Sequence, residues 1–438
     1  MKAQFWELAA QLEREMQGSE MLLCNLSAER SDFVRFNKAL VRQAGSVEQS
    51  YVSVRLVRDG RQASASIALT GSGNDAALAT DTLRRLRTAV QELPPDPWLL
   101  VNETPQPSTS ERRGALAPAE EVVDQALAAA RGRDLVGFYA GGTLYRGFAN
   151  SLGQRNWHEV DSFDFDWSLY HEGDRAVKTS YAGFDWQTAA FAARMARAAE
   201  QLELLGRPRR TLEPGEYRAY LAPRALAELM GLLTWGGFSA RARETKQSPL
   251  LRMQEGRTLA AQLGVSENIA EGIAPAWQAE GFIKPACVPL IAAGKLAEPL
   301  VSPRSAKEYG LVTNGANGGE GPEALDVAPG ALEERDVLQA LDTGLYISNL
   351  WYLNFSDRPA GRITGMTRFA TFWVEGGKIV APVTPLRFDD SIYRLLGEAL
   401  VDLTRERELL PDSSTYGERQ TSSARLPGAL VQALRFTL

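Results

Sequence analysis

The residues able to do acid–base or metal chemistry are few in this chain. Histidine occurs only at His158 and His171, thirteen positions apart in an acidic, aromatic segment. A hydrolytic zinc site usually takes two or three imidazoles. Unless both are used from a strand or loop, the chain cannot assemble such a site, and the simpler expectation is a pair of surface or hydrogen-bonded histidines. Beside them stand Asp161, Asp164 and Asp166. The alternation in Phe163–Trp167 puts Asp164 and Asp166 on the same side of a strand. Oxygen ligands of that kind admit a hard cation, but a solvated strand face is the preferred reading. A third candidate is Glu228, as a metal-free general base near Thr234 or Ser239.

Glu228 lies in the stretch around which the chain is organised, Leu221–Ala240. Pro223 suits a first helical turn, Leu226, Leu229, Met230, Leu233 and Phe238 recur at helical spacing, and Gly236 and Gly237 close the pattern. Periodicity alone predicts a buried helix. The residues best placed to meet a peptide are Arg362, Thr364, Arg368, Trp373 and Asn314, with Arg387 and Tyr352 as further candidates. Arginines suit a peptide carboxylate, and the strand pattern of Ile363–Val374 offers an edge for backbone pairing. The alternative makes the aromatics core and the arginines solvated or paired with Asp389 and Asp390. Thr313–Gly321 is a Gly-rich loop able to approach a ligand backbone or to serve as a surface turn; without a Gly-Lys-Ser/Thr ending it is not a phosphate loop.

Length and composition bound these readings. A chain of 438 residues exceeds the size at which a single core stops growing, so two domains are expected. Hydrophobic content of 44%, charged content of 23% and a net charge of −6 without long runs of one sign indicate a globular protein and argue against nucleic acid as main partner. Cys24 and Cys287 follow no ligand spacing and read as reduced, buried, small apolar residues. Glu7, Glu13 and Glu15 interrupt any signal-like apolar run, and no stretch approaches the roughly 20 residues needed to span a bilayer. A cytoplasmic protein with no membrane partner is expected.

In the first half, helices are predicted at Ala3–Met16, Ala76–Gln91 (Leu78, Leu83, Leu86 and Val90 inward), Ala119–Arg131 and Ala189–Leu204. Short alternating strands are predicted between Asp32 and Leu69 around an Asp59-Gly60 turn, and again after Asp134, with turns at Gly141-Gly142 and Glu172-Gly173. Leu93–Pro118 reads as a long surface connection. The repeated order of helix, strands and helix suggests two related halves. Beyond Gly206–Gly215 come a strand at Glu216–Leu221, the organising helix, a helix at Gly256–Leu263, two short strands in Glu280–Leu300 and a Ser302-capped helix to Tyr309. A turn and helix at Pro329–Leu341 are followed by strands around a Gly376-Gly377 hairpin, a helix at Ser391–Arg407 and a strand at Leu430–Leu438. The fold class is α+β: residues 1–210 an N-terminal domain with helices on antiparallel strands, residues 216–438 a C-terminal domain rich in antiparallel sheet.

The order of motifs in the second half resembles the TldD/PmbA family of zinc metallopeptidases and DNA-gyrase modulators. The matching elements are Glu280-Gly281 through Leu290, Gly294 and Leu296; Arg304-Ser305-Ala306 to Gly310; Thr313–Asn317; Pro329-Gly330; Leu345–Ile347; the hairpin Ile363–Val383; and Leu426–Leu430. The first half agrees less specifically, in helix–strand order and at Ser168–Tyr170. TldD-type members carry HExxxH on the helix after the boundary, two zinc-ligating histidines and a Glu that polarises metal-bound water. Here that motif falls on Ala227-Glu228-Leu229-Met230-Gly231-Leu232. Glu228 and Gly231 remain, while the ligand positions hold side chains without lone pairs. Gln278-Ala279, before Glu280-Gly281, departs from the acidic residues the family tends to have.

The resemblance is therefore to the PmbA, or TldE, branch, and implies a subunit with no catalytic residue and no cofactor of its own. It would pair with a TldD-type HExxxH chain that carries the zinc, and the assembly would hydrolyse unfolded peptides or leader peptides of ribosomal natural products. The alternative is a non-catalytic peptide-binding or regulatory homodimer.

Overall fold

The structure is a computed structural model, which describes residues 1–437. In the first half, α1 (Lys2–Arg14), β1 (Met21–Asn37), β2 (Leu40–Arg58), β3 (Arg61–Leu69) and α2 (Asn74–Glu92) are followed by β4 (Ser108–Arg112). Then α3 (Ala119–Ala129), β5 (Asp134–Asn150), β6 (Arg155–Tyr170), β7 (Ala176–Gly183) and α4 (Thr188–Leu205) repeat the same order. The seven strands form one sheet, β3-β2-β1-β5-β6, whose outer strand β6 carries both β4 and β7. The first strands of the two units, β1 and β5, pair antiparallel from Leu23↔Asn150 to Phe36↔Gly137, so the units meet about a local two-fold. The two-unit expectation from element order corresponds to this topology.

One side of this sheet is apolar and covered by helices, and the other is mixed. Leu22, Cys24, Leu26 and Ala28 of β1 and Trp157, Phe163, Phe165, Trp167 and Leu169 of β6 pack against the helices. The opposite side carries Glu29, Arg35, Arg146, His158, Asp164 and Asp166 beside the apolar Leu144, Phe148 and Val160, and it meets Ile273 and Trp277 of the second half, while Ala370 and Phe372 of the second half join the helical-side core.

The second half opens with β8 (Gly215–Leu221) and α5 (Pro223–Thr234), then α6 (Ala240–Glu244), α7 (Leu251–Gln254), β9 (Val265–Glu267), β10 (Val288–Ala292), β11 (Lys295–Leu296), α8 (Pro303–Tyr309) and β12 (Ala324–Val327). It continues with α9 (Val337–Leu341), β13 (Gly344–Asp357), β14 (Arg362–Glu375), β15 (Lys378–Pro382), β16 (Arg387–Ser391), β17 (Leu400–Pro411) and β18 (Ser423–Phe436). Ladders run β8–β13–β14–β16–β18, and β18 pairs back onto β8, so these strands close on themselves. Two pairings, β13–β8 and β12–β18, are parallel, making the sheet mixed. α5 packs on β13 and β18 over the largest core cluster. Among the described residues no helix is long and apolar enough to cross a membrane.

Several local expectations give way to long-range contacts. Asp32–Leu69 is not a set of short strands: β1 starts at Met21 and turns at Lys38-Ala39 into the 19-residue β2. Gly141-Gly142 is no turn but lies within β5; Gly142 has φ 144°, and a Cβ there would stand 2.1 Å from the Arg30 carbonyl oxygen on β1. The segment Leu93–Pro118 contains β4, which pairs parallel with β6 from Ser108↔Asn156 to Arg112↔Val160. Leu78 is 45% exposed, because the inward stripe of α2 runs through Ala79, Leu83, Leu86 and Val90. Cys24 is buried as expected, but Cys287 is exposed, in the connection just before β10. Gly256–Leu263 is irregular, its chain held by Leu259 N–H donating to Gly294 O and Ala260 N–H to Leu396 O. The helix expected at Ser391–Arg407 stops after one wide turn at Gly397 (φ −108°, ψ −111°), and the remainder enters β17 because β18 offers it a ladder.

Candidate functional site

α5 has two faces. Leu226, Leu229, Met230 and Leu233 are fully buried in the core, while Arg224, Ala227, Glu228, Gly231 and Thr234, at helical spacing, line a cleft of about 700 Å³. The opposing wall comes from Trp351 on β13 and Arg368 and Phe369 on β14; Lys178 of β7 and Asp412 close the sides. Leu232, which in the sequence register takes the second metal-ligand position, points into the core.

Glu228 opens to the cleft, yet surrounding protein displaces enough water to raise its carboxyl above the ordinary value, against the pull of Arg224 and Lys178. Those two cations are engaged elsewhere: Lys178 Nζ lies 3.3 Å and Arg224 Nη2 3.0 Å from the Asp166 carboxylate, and Arg224 Nε donates to Ser180 Oγ at 3.0 Å. The hydroxyls near the helix are also committed. Thr234 Oγ1 donates to Gly231 O at 2.7 Å, and buried Ser239 caps α6 and donates to Glu320. Neither is bonded to Glu228, so the arrangement lacks a nucleophile–base pair.

The cleft continues, past Lys178, Pro411 and Asp412, into a cavity of about 170 Å³ beneath the connection Asp412–Ser422. This strap crosses the mixed side of the first sheet and is anchored by Arg419, which donates to Ser162 O and Oγ at 2.9 Å and to Gly142 O and Ser31 Oγ at 3.3 Å. Asp164 lines the cavity, 9% exposed, with Oδ1 lacking any hydrogen-bond partner. Burial raises its carboxyl to about 7, reinforced by Asp166 and opposed by Arg224, Arg419 and Lys178. Asp164 and Asp166 do share a strand side, but that side is covered and cross-linked by cations rather than solvated. His158, on the same side, donates through Nε2 to Ile273 O at 2.8 Å, and burial lowers its pKa to about 4. His171 lies at the far end of β6, and Asp161 turns to the helical side, accepting from Thr143 Oγ1 at 2.6 Å and Gly114 N–H at 3.2 Å.

Of the residues proposed to contact a peptide, the structure brings only Arg368 to Glu228's cleft. Arg362 is exposed near the β13–β14 hairpin, and Thr364 sits mid-ladder between Asn354 and Asp389. Trp373 is buried in the core edge-on to Tyr217, its Nε1–H donating to Glu375 at 2.6 Å. Asn314 braces its own loop, accepting from Val301 N–H and donating to Pro299 O, both at 2.8 Å. Arg387 lies 3.5 Å from Asp389, as the pairing alternative supposed. β14 has no edge over Arg362–Met366 or Phe372–Glu375, where β16 and β15 pair with it. Gln278-Ala279 belongs to the junction of the two halves: Gln278 Nε2 donates to Glu280 at 2.8 Å, Arg55 bridges Glu280 at 2.5 Å, and Asn102 and Gln154 donate to Gly281 O. Sequence reasoning missed Lys178, Trp351 and Phe369, which arrive from distant strands, and Arg419, which arrives on the strap; it also missed Arg224, although that residue stands one turn before Glu228 on the same helical stripe.

Fold and cleft define a class: an α+β protein of two extensive sheets, with a groove of mixed polar and apolar lining beside a core helix. The comparisons place it. The PmbA/TldA metallopeptidase C-terminal domain matches residues 214–438, just over half of the chain, and the protein belongs to the PmbA/TldD family. TldE from Thermococcus kodakarensis superposes with a TM-score of 0.79 at 14% identity, covering 99% of this chain and 100% of that one. A proposed modulator of a DNA gyrase from Thermotoga maritima gives 0.78 at 14% identity, with 100% of both chains covered. A third, from Bacteroides thetaiotaomicron, gives 0.74 at 15%, covering 99% and 97%. At such identities these likenesses show a shared fold. No curated protein matches the chain in sequence.

The zinc that the family's metallopeptidase description implies does not fit the side chains present here. Ala227 and Leu232 offer no donor, Glu228 stands alone, and among the described residues no three His, Cys, Asp or Glu side chains gather as a metal-holding group.

Proposed function

We propose that this chain is the non-metallated, TldE-like subunit of a peptide-hydrolysing assembly, pairing in the cytoplasm with a TldD-type chain that bears HExxxH and the zinc. The observation that carries this reading is the face α5 turns to the cleft. It keeps the family's Glu228 and Gly231 in a groove large enough for several peptide residues, yet has aliphatic side chains where a metal would need donors. The role left to such a groove is to bind and orient peptide, either unfolded segments or leader peptides, while bond cleavage takes place in the partner.

The test is native mass spectrometry with metal analysis on the chain recovered from its own cells. A complex containing one HExxxH-bearing chain and zinc is the expected result, with hydrolysis surviving Glu228→Gln in this subunit. A metal-free homodimer alone would overturn the pairing and leave the peptide-binding homodimer. Zinc on this chain alone would overturn the donor argument.

A further inference from the structure

Two aromatic residues on facing strands of the cleft wall hold left-handed backbone: Tyr352 on β13 at φ 57° and Phe369 on β14 at φ 58°. Bulky L side chains rarely adopt this region, and it persists where surrounding structure imposes it, often at binding sites. Both lie where the β13–β14 ladder slips. Phe369 and Ala370 face Ser348 alone, between the pairs Ile347↔Thr371 and Asn349↔Arg368, and Tyr352 and Leu353 face Gly365, between Trp351↔Met366 and Asn354↔Thr364. Such bulges re-aim side chains.

The side chain they re-aim is Arg368. Its Cζ lies 5.0 Å from the Trp351 ring centroid and 5.2 Å from that of Phe369. Among the described residues its guanidinium donates no hydrogen bond, and the neighbouring carboxylate of Asp174 is 3.9 Å away. Arg224 and Lys178, the other cations of the cleft, are both held by Asp166. Trp351 is 54% exposed and Tyr352 76%, so these rings are not there to fill core. A planar fork of five N–H donors, held against two aromatic faces, its only ion-pair contact among the described residues the long one to the exposed Asp174 and its N–H groups free of hydrogen bonds, has the geometry of a bidentate carboxylate receptor.

We propose that Arg368, clamped by Trp351 and Phe369, is the carboxylate-recognition residue of the cleft, selecting peptides that present a carboxylate beside an apolar or aromatic side chain. This rests on the reading of the cleft as a peptide site. Glu228 on the facing helix forms no ion pair among the described residues and repels a second carboxylate, which fixes the ligand's direction across the groove. The carboxylate comes from a peptide C-terminus or from an acidic side chain.

Calorimetric titration of the full chain separates these sources. One pair of probes is acetyl-Ala-Leu-Phe as free acid and as C-terminal amide; the other is acetyl-Ala-Leu-Glu-Phe-amide and its Gln counterpart. At least one pair should differ by about tenfold or more in affinity, the lower range for a charge-assisted hydrogen bond. Arg368→Gln should erase the preference, Arg368→Lys should retain part of it, and Phe369→Gly, which leaves every charge in place, should weaken it. Equal binding within both pairs, or a preference that survives Arg368→Gln, overturns the clamp while leaving the peptide cleft standing. If no probe binds, the peptide cleft itself fails and the clamp with it.

Discussion

Asp164 and His158 stand on the same side of β6 and pull the pH dependence of stability in opposite directions. Asp164 rises from 3.8 to about 7 in the folded chain because burial disfavours its charged form. Between those values the folded state holds a proton that the unfolded state has released, so acidification stabilises. The full effect of such a rise is about 4 kcal/mol. His158 falls from 6.5 to about 4, again through burial. Between those values the unfolded state takes a proton that the folded state refuses, so acidification destabilises, by about 3 kcal/mol in full. Over pH 4–6.5 the two slopes cancel. Each single variant should therefore expose the other group. On going from pH 6.5 to 4.5, Asp164→Asn should lose about 2 kcal/mol of stability that wild type keeps over the same interval. His158→Gln, which keeps a donor for Ile273 O, should instead gain over the same interval. At pH 8 Asp164→Asn should be the more stable protein by about 1–3 kcal/mol, the removed charge penalty less the cost of a buried amide without partners. Urea unfolding of the three proteins at pH 4.5, 6.5 and 8 reads these differences directly. Parallel pH profiles for wild type and Asp164→Asn would refute the assignment of a buried, mostly uncharged carboxyl to the cavity beneath the strap.

Three further outcomes follow from packing. Leu229→Ala should cost about 2–5 kcal/mol in denaturant unfolding, since the side chain is fully buried on the core face of α5; a loss below about 1 kcal/mol would mean that α5 does not seat the core as described. Gly142→Ala should lower the thermal midpoint markedly, because its Cβ would meet the Arg30 carbonyl at 2.1 Å across the β1–β5 pairing; an unchanged midpoint would contradict that approach. Arg419→Ala should speed chymotryptic cutting after Tyr416, which is 96% exposed on the strap, by releasing the strap from Ser162, Gly142 and Ser31; an unchanged rate would show that something else holds it.

What could be read from the residues in order is what local physics decides. The α5 helix followed from Pro223 and the Leu/Met period, the α8 cap from Ser302, and the Asp59-Gly60 and Gly376-Gly377 hairpins from turn chemistry, because each is settled within a few residues of chain. The missing metal donors at Ala227 and Leu232 were equally legible, since the absence of a lone pair is a property of the residue and not of its surroundings. The family order of motifs was legible for the same reason.

Tertiary structure decided the rest wherever two local solutions buried the same residues. Ile392, Leu395, Leu396, Ala399 and Leu403 suit a helix by period and are all buried, yet β18 captures Leu400–Pro411 as a strand, and only a partner distant in sequence breaks that tie. Gly141-Gly142 has the composition of a turn, and only the close approach of β1 makes it a strand interior. The alternating aspartates of β6 fit a wet face until the strap from Asp412 to Ser422 covers them and Lys178 and Arg224 bind Asp166. Arg368 was one arginine among several by sequence. Two bulges and two aromatic rings single it out, because the aim of a side chain is set by the register of the strands that carry it, and register is fixed only when the sheet has closed.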